Sequence, residues 1–133
     1  MLKKIKLILS IFIFSIIFSP LKAEWKELAT LENGTKIYGD FKTIKKGTKF
    51  SFMWLMHDFK KPMEGPLTEE INSAKVYVKV NCEELKATYP QYIFYTGSMR
   101  SGESTPFQKK EVEWVFYPPG SWMKILKDNL CKK

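Results

Sequence analysis

The chain has 133 residues, 22 Lys+Arg against 14 Asp+Glu, 44% hydrophobic and 15% aromatic residues, and a formal net charge of +8. That length holds one domain without a separate cofactor-binding unit, and the hydrophobic share excludes a disordered or collagen-like chain. Two cysteines and one histidine leave little material for metal or nucleophilic chemistry.

The charge is unevenly placed. Lys3, Lys4 and Lys6 precede the uncharged run Leu7 to Phe18, followed by Pro20 and Leu21-Lys22-Ala23. As a helix, that run reaches roughly 18 Å at about 1.5 Å per residue, short of a bilayer core near 30 Å. A positive start, a short apolar middle and a small closing residue describe a secretory signal peptide over residues 1–23, cleaved after Ala23. Residues 24–133 then form a single domain. Setting aside the four lysines of the leader halves the net charge to +4, which favours an acidic partner only mildly. Nucleic acid is disfavoured, because Arg100 is the only arginine and arginine is the residue that reads phosphates and guanines bidentately.

Segment 25–32 alternates as a first strand. Asn33-Gly34 predicts a type I′ hairpin turn with positive φ at both centres, returning through a strand over 35–41. Lys45-Lys46-Gly47 is a polar turn with a left-handed glycine. Residues 48–58 carry the strongest strand signal, with Phe50, Phe52, Trp54 and Met56 on one face and Lys49, Ser51, Met53, Leu55 and His57 on the other. Two prolines, a glycine and five charges predict a long mobile loop over 59–73, with a short helical turn at 68–72. Residues 75–82 resume alternation, with Val76, Val78, Val80 and Cys82 facing inward. A strand over 88–96 carries Pro90, which implies an edge or a strand start. A flexible polar loop follows over 97–106, then a last strand over 111–117. Ser121 caps a terminal helix through its hydroxyl, and Trp122, Ile125, Leu126 and Leu130 form its apolar stripe. Cys131 falls off that stripe, so the last turn must unwind for it to pair. Six strands followed by a helix define an α+β fold, an antiparallel sheet with the helix on one face.

Cys82 and Cys131 are an even pair in a chain sent to an oxidising compartment, so they are expected to bond. Closing a loop of about 50 residues is worth roughly 4 kcal/mol on the chain-entropy model. That bond would tie the helix end to the fourth strand.

In order and spacing, several elements resemble the surface-adhesin protein E family: Trp25, Ile37-Tyr38-Gly39-Asp40, Thr43-Ile44-Lys45-Lys46-Gly47, Phe52-Met53-Trp54, Ser73 to Asn81-Cys82, and Pro118-Pro119-Gly120-Ser121 closing on Leu130-Cys131. The resemblance implies a six-stranded antiparallel sheet with a disulfide-tied C-terminal helix, compatible with a homodimer. It also implies action at the bacterial surface on host proteins, which for the family's named member include vitronectin, laminin and plasminogen. That member carries a lipoprotein signal, whereas this chain has no cysteine near residue 23, which points toward the periplasm as well as the cell surface.

The residues themselves offer sparse chemistry. His57 reads as a polar residue at a strand end. Glu111 and Glu113 share one strand face at about 7 Å, a spacing open to glycoside hydrolysis but better explained as a solvated face. Met53, His57 and Met63 could serve copper or haem iron, although methionine in an aromatic strand is usually core filler. Lys45-Lys46, Lys60-Lys61 and Lys109-Lys110 are candidates for one basic patch against anionic glycans, lipid head groups or an acidic protein. Tyr89, Tyr92 and Tyr95 either form an exposed contact face or fill the cup of the sheet. The Asn33-Gly34-Thr35 sequon needs no modification to explain it, since it is a turn. The expectation is a non-enzymatic exported binding domain, without cofactor or metal, whose partner is a protein or an envelope component. A small-ligand or haem carrier is the alternative.

Overall fold

A computed structural model of the chain describes residues 23–65 and 69–132; apart from Ala23, the expected export segment lies outside them. Among the described residues, seven strands and one α-helix follow in order: β1 (Trp25–Thr30), β2 (Lys36–Lys45), β3 (Phe50–Glu64), β4 (Glu70–Asn81), β5 (Lys86–Tyr95), β6 (Ser104–Gln108), β7 (Val115–Phe116) and α1 (Trp122–Leu130). Sequence neighbours are sheet neighbours from β1 to β6, and every pairing is antiparallel. β7 pairs with Lys86 and Ala87 of β5, beyond the end of β6. The outer edge beside β5 is therefore two short strands with residues 109–114 looped out between them. The expected α+β architecture is the one that forms. Among the described residues, no helix is long and apolar enough to cross a membrane.

Alternation decides the layers. Met53 and Leu55 of β3 stand opposite Val78 and Val76 of β4. With Val80 and Ala87 they are closed off by Met123, Leu126 and Leu130 of α1, each 4% exposed or less. The inward valines of 75–82 are as expected. On β3 the core takes the Ser51–Met53–Leu55 side, which turns Phe50, Phe52 and Trp54 to the face away from the helix.

The helix sits differently from its expected stripe: Met123, Leu126 and Leu130 are buried while Ile125 is 65% exposed. Cys131 follows the last helical residue as the C-cap, with ψ 7°, its N–H still donating to Lys127 O at 2.8 Å. The helix thus ends where the chain must turn to Cys82, and the disulfide forms with 5.5 Å between Cα atoms. Ser51 Oγ donates to Leu130 O at 3.0 Å, a second tie at the same point. Ser121 occupies the N-cap position with extended backbone, but its hydroxyl makes no capping bond and is buried without a partner.

Other local expectations are corrected. The first hairpin is a three-residue loop, not a type I′ turn. Gly34 N–H donates to Leu31 O (2.9 Å), Leu31 N–H to Thr35 O (2.8 Å), and Gly34 alone takes positive φ, +86°. Asn33 instead uses its side chain, accepting from Thr35 N–H at 3.0 Å. Gly47 has no positive φ; glycine is required there because a Cβ would stand 2.3 Å from Phe50 O.

Of the segment expected as a loop over 59–73, residues 59–64 and 70–73 are strand, and Glu70 to Asn72 are strand rather than helical turn; residues 66–68 lie outside the described residues. β3 and β4 continue to Glu64 and Glu70 across a bulge between Asp58 and Met63. Pro62 sits in that bulge, where a missing N–H is tolerated. Pro90 likewise sits inside β5 rather than at its start, at the irregularity opposite Tyr77 and Lys79 and in the gap between the β6 and β7 pairings, where the outer side of β5 is a local edge. The expected loop over 97–106 contains a 3-10 turn at Ser98–Arg100 and most of β6, whereas the strand expected over 111–117 shrinks to β7.

Candidate binding surface

The helix covers one face of the sheet; the other carries rings and lysines side by side. Phe52 and Tyr77 stack across β3 and β4 (centroids 5.7 Å apart, planes at 18°), and Tyr77 also meets Trp54 at 4.9 Å. Trp114, from the looped-out 109–114 segment, folds back and stacks on Phe50 at 5.7 Å. Lysines lie over these rings: Lys75 4.6 Å from the Trp54 centroid, Lys79 4.2 Å from Phe50, Lys86 5.2 Å from Trp114 and Lys49 5.5 Å from Phe50. Each such contact is worth about 0.5–1 kcal/mol when exposed, so the rings hold the ammonium groups in place.

The ends of this face are closed by the chain itself. Ser98 Oγ and Met99 N–H both donate to Asp58 Oδ1, at 2.7 and 2.8 Å. Arg100 N–H donates to Ser73 Oγ at 2.9 Å, and Ser73 Oγ donates to Gly97 O at 2.6 Å. These bonds pin a turn in which Met99 and Arg100 both adopt positive φ, 52° and 63°. The Arg100 guanidinium stacks 4.8 Å over Trp25. Burial first, and then the charge of Arg100, lower the pKa of Lys75, against an opposing pull from Asp40. Asp40 is buried and accepts from the N–H groups of Glu24 and Lys42, both at 3.2 Å. Glu84 accepts from Lys86 at 2.6 Å, a hydrogen bond that lowers the carboxylate pKa.

The expected lysine pairs are exposed but the structure does not bring them together. Lys45 stands opposite Phe52 at the β2–β3 turn, and Lys46 lines a depression of about 550 Å³ with Cys131 and Lys132. Lys60 is eight residues beyond Phe52 on β3, about 26 Å away at strand rise, beside Gly34. Lys61 lies next to it. Lys109 lies 5.4 Å over Tyr92, whose strand partner is the core residue Val76; it belongs to the helix side. Lys110 follows in the exposed connection.

His57 is in mid-strand, at a depression of about 310 Å³ lined also by Leu31, Phe59, Lys61 and Met63. Burial pushes its pKa down to about 4, so the ring is neutral at pH 7, with Nε2 buried and unpartnered. Met53 is in the core, four residues or about 13 Å along the strand, so it does not share a site with His57. Among the described residues, no three His, Cys, Asp or Glu side chains gather to hold a metal ion. Glu111 and Glu113 are exposed in the 109–114 connection, not on a strand face. Tyr89 and Tyr92 pack against the core, and burial pushes the Tyr89 hydroxyl up to about 12.

Sequence reasoning missed Lys49, Lys75, Lys79 and Lys86 because it looked for charge at turns. The signal was available: Lys75-x-Tyr77-x-Lys79 is the outward half of the strand whose inward half is three valines.

The chain matches the family model described as surface-adhesin protein E over residues 25–132. It is similar to the solved structure of Haemophilus influenzae protein E, at TM-score 0.61 and 15% identity over 86% of this chain and 88% of that one. Crystal form II of that protein gives 0.61 and 15%, over 86% and 91%. Protein E from non-typeable Haemophilus influenzae gives 0.60 and 15%, over 86% and 81%. At such identity the structural likeness carries the fold alone. No curated protein matches the chain.

Proposed function

This chain belongs to the surface-adhesin protein E family, and from that membership we propose a non-enzymatic, exported domain that binds a protein or cell-envelope component, host extracellular-matrix proteins included. The observation that carries the reading is the open sheet face, where Phe52, Trp54, Tyr77 and Trp114 interleave with Lys75, Lys79 and Lys86. A sheet whose second face is left uncovered by its own helix, with rings half-exposed among cations, has the composition of a contact surface. Lys45, Lys46, Lys60, Lys61, Lys109 and Lys110 enter as a wider positive field that steers an acidic partner. Residues 1–23 act as the cleaved signal peptide, and the domain works in the periplasm or at the cell surface, as a monomer or homodimer.

The test is adhesion. Beads carrying the purified protein are expected to attach to surfaces coated with matrix protein or envelope extract above an albumin background. A Lys75→Glu/Lys79→Glu variant of unchanged thermal stability is expected to lose that attachment. Attachment equal to albumin, or a charge-reversed variant that adheres as well, overturns the reading.

A further inference from the structure

We infer that the open face is a docking strip for a linear anionic polysaccharide, a sulfated or uronic-acid glycan; this rests on the reading of that face as the contact surface. The cations form a row. Lys75 and Lys79 are about 13 Å apart along β4, and Lys49, just before β3, brings its ammonium round to the same face, 5.5 Å from the Phe50 ring. Among the described residues, Lys49, Lys75 and Lys79 have no carboxylate within ion-pair distance. Asp40 acts on Lys75 and Lys49 on Glu84 only without contact, so no ion pair has to be broken for an external anion to reach these ammonium groups.

The rings explain why the row suits a glycan. Phe52 and Tyr77, and Phe50 and Trp114, spend their flat faces on each other, and Lys79 lies over both Phe50 and Trp114. A platform for single-stranded nucleic acid needs free ring faces on which bases stack, and here they are taken. What faces solvent is a set of ammonium groups whose rotamers are already restricted, so less side-chain freedom is lost when they meet an anion. Lysines act as point charges indifferent to bidentate geometry, which fits sulfates and carboxylates repeated along a chain. A flat bilayer is a poorer fit, because the Ser98–Arg100 turn lies across one end of the face and Trp114 across the other.

The experiment titrates the purified protein with a heparin-derived dodecasaccharide at several salt concentrations, using a neutral dextran oligosaccharide of matched length as control. Binding to the sulfated chain alone is expected, weakening as salt rises. Lys75→Gln/Lys79→Gln is expected to flatten the log–log salt slope by about two and to weaken binding about tenfold or more at low salt. Lys124→Gln/Lys127→Gln on α1 is expected to leave both unchanged, and melting curves verify that each variant folds. No binding to the dodecasaccharide, or an unchanged slope in the folded Lys75/Lys79 variant, overturns the inference. So does tighter binding to oligo-dT or to phosphatidylglycerol vesicles. If glycan binding fails while matrix adhesion persists, the inference falls and the adhesion reading stands; if both fail, both fall.

Discussion

Replacing both cysteines, Cys82→Ser with Cys131→Ser, removes the covalent tie between β4 and the end of α1. The bond spans 49 residues, and releasing that loop gives the unfolded chain entropy worth about 4 kcal/mol at 25 °C. The helix is then held by Met123, Leu126 and Leu130 and by the Ser51–Leu130 hydrogen bond. Against a typical domain stability of about 5–15 kcal/mol, the variant is expected to remain folded but to lose a large part of its margin. Unfolding entropy of about 2.1 cal/mol/K per residue over roughly 110 residues converts this into a drop of about 15–20 °C in Tm. Urea unfolding followed by tryptophan fluorescence and by far-UV circular dichroism gives the measurement. Reduced wild-type protein is expected to match the double variant, separating the lost bond from the substitutions themselves. A loss below about 1 kcal/mol, with both probes unfolding together, refutes the reasoning, since the loop would then be constrained by something other than the disulfide.

Three further outcomes follow from the geometry. The His57 pKa in the fold, about 4, lies below its ordinary 6.5, so between these values the unfolded chain binds the extra proton. Stability should therefore fall as pH drops from about 6.5 to 4, by up to about 3 kcal/mol, and His57→Gln should flatten that slope in urea titrations at each pH. Asp58→Ala deletes the acceptor of Ser98 Oγ and Met99 N–H; a loss of about 1–2 kcal/mol and faster hydrogen exchange at the Met99 amide are expected, and unchanged exchange would count against the pinning role. Met99→Gly removes a side chain from a left-handed residue, φ 52°, and should stabilise by about 0.5–1 kcal/mol, read from the urea midpoint.

The layers were legible wherever period two was strict. The valines of 75–82 point inward, and the pairing of Cys82 with Cys131 follows from compartment and count. The side of β3 that meets the helix was not legible, because both sides carry large apolar residues: Met53 and Leu55 on one, Phe50, Phe52 and Trp54 on the other. Only the register with β4, which sets Met53 against Val78, decides it. The same ambiguity hid the candidate surface, whose lysines become a row only once β3, β4, β5 and Trp114 are assembled. β6 was missed because Ser-Thr-Pro-Phe-Gln has no alternation of its own; β5 supplies its partners. Residues 59–64 looked like loop because proline and glycine were counted as breakers, although a bulge accommodates Pro62. The last strand expected at 111–117 has the right composition, yet Trp114 leaves the sheet for Phe50.

The divided edge beside β5 bears on how the molecule keeps to itself. A continuous strand there would offer a long row of unpaired backbone donors and acceptors on which a neighbouring sheet could zip. Instead the row is cut into stretches of five and two residues, with Pro106 lacking an N–H in the longer one. Lys109 and Lys110 stand at the break. A second molecule arriving at this edge meets too short a template on which to extend a sheet.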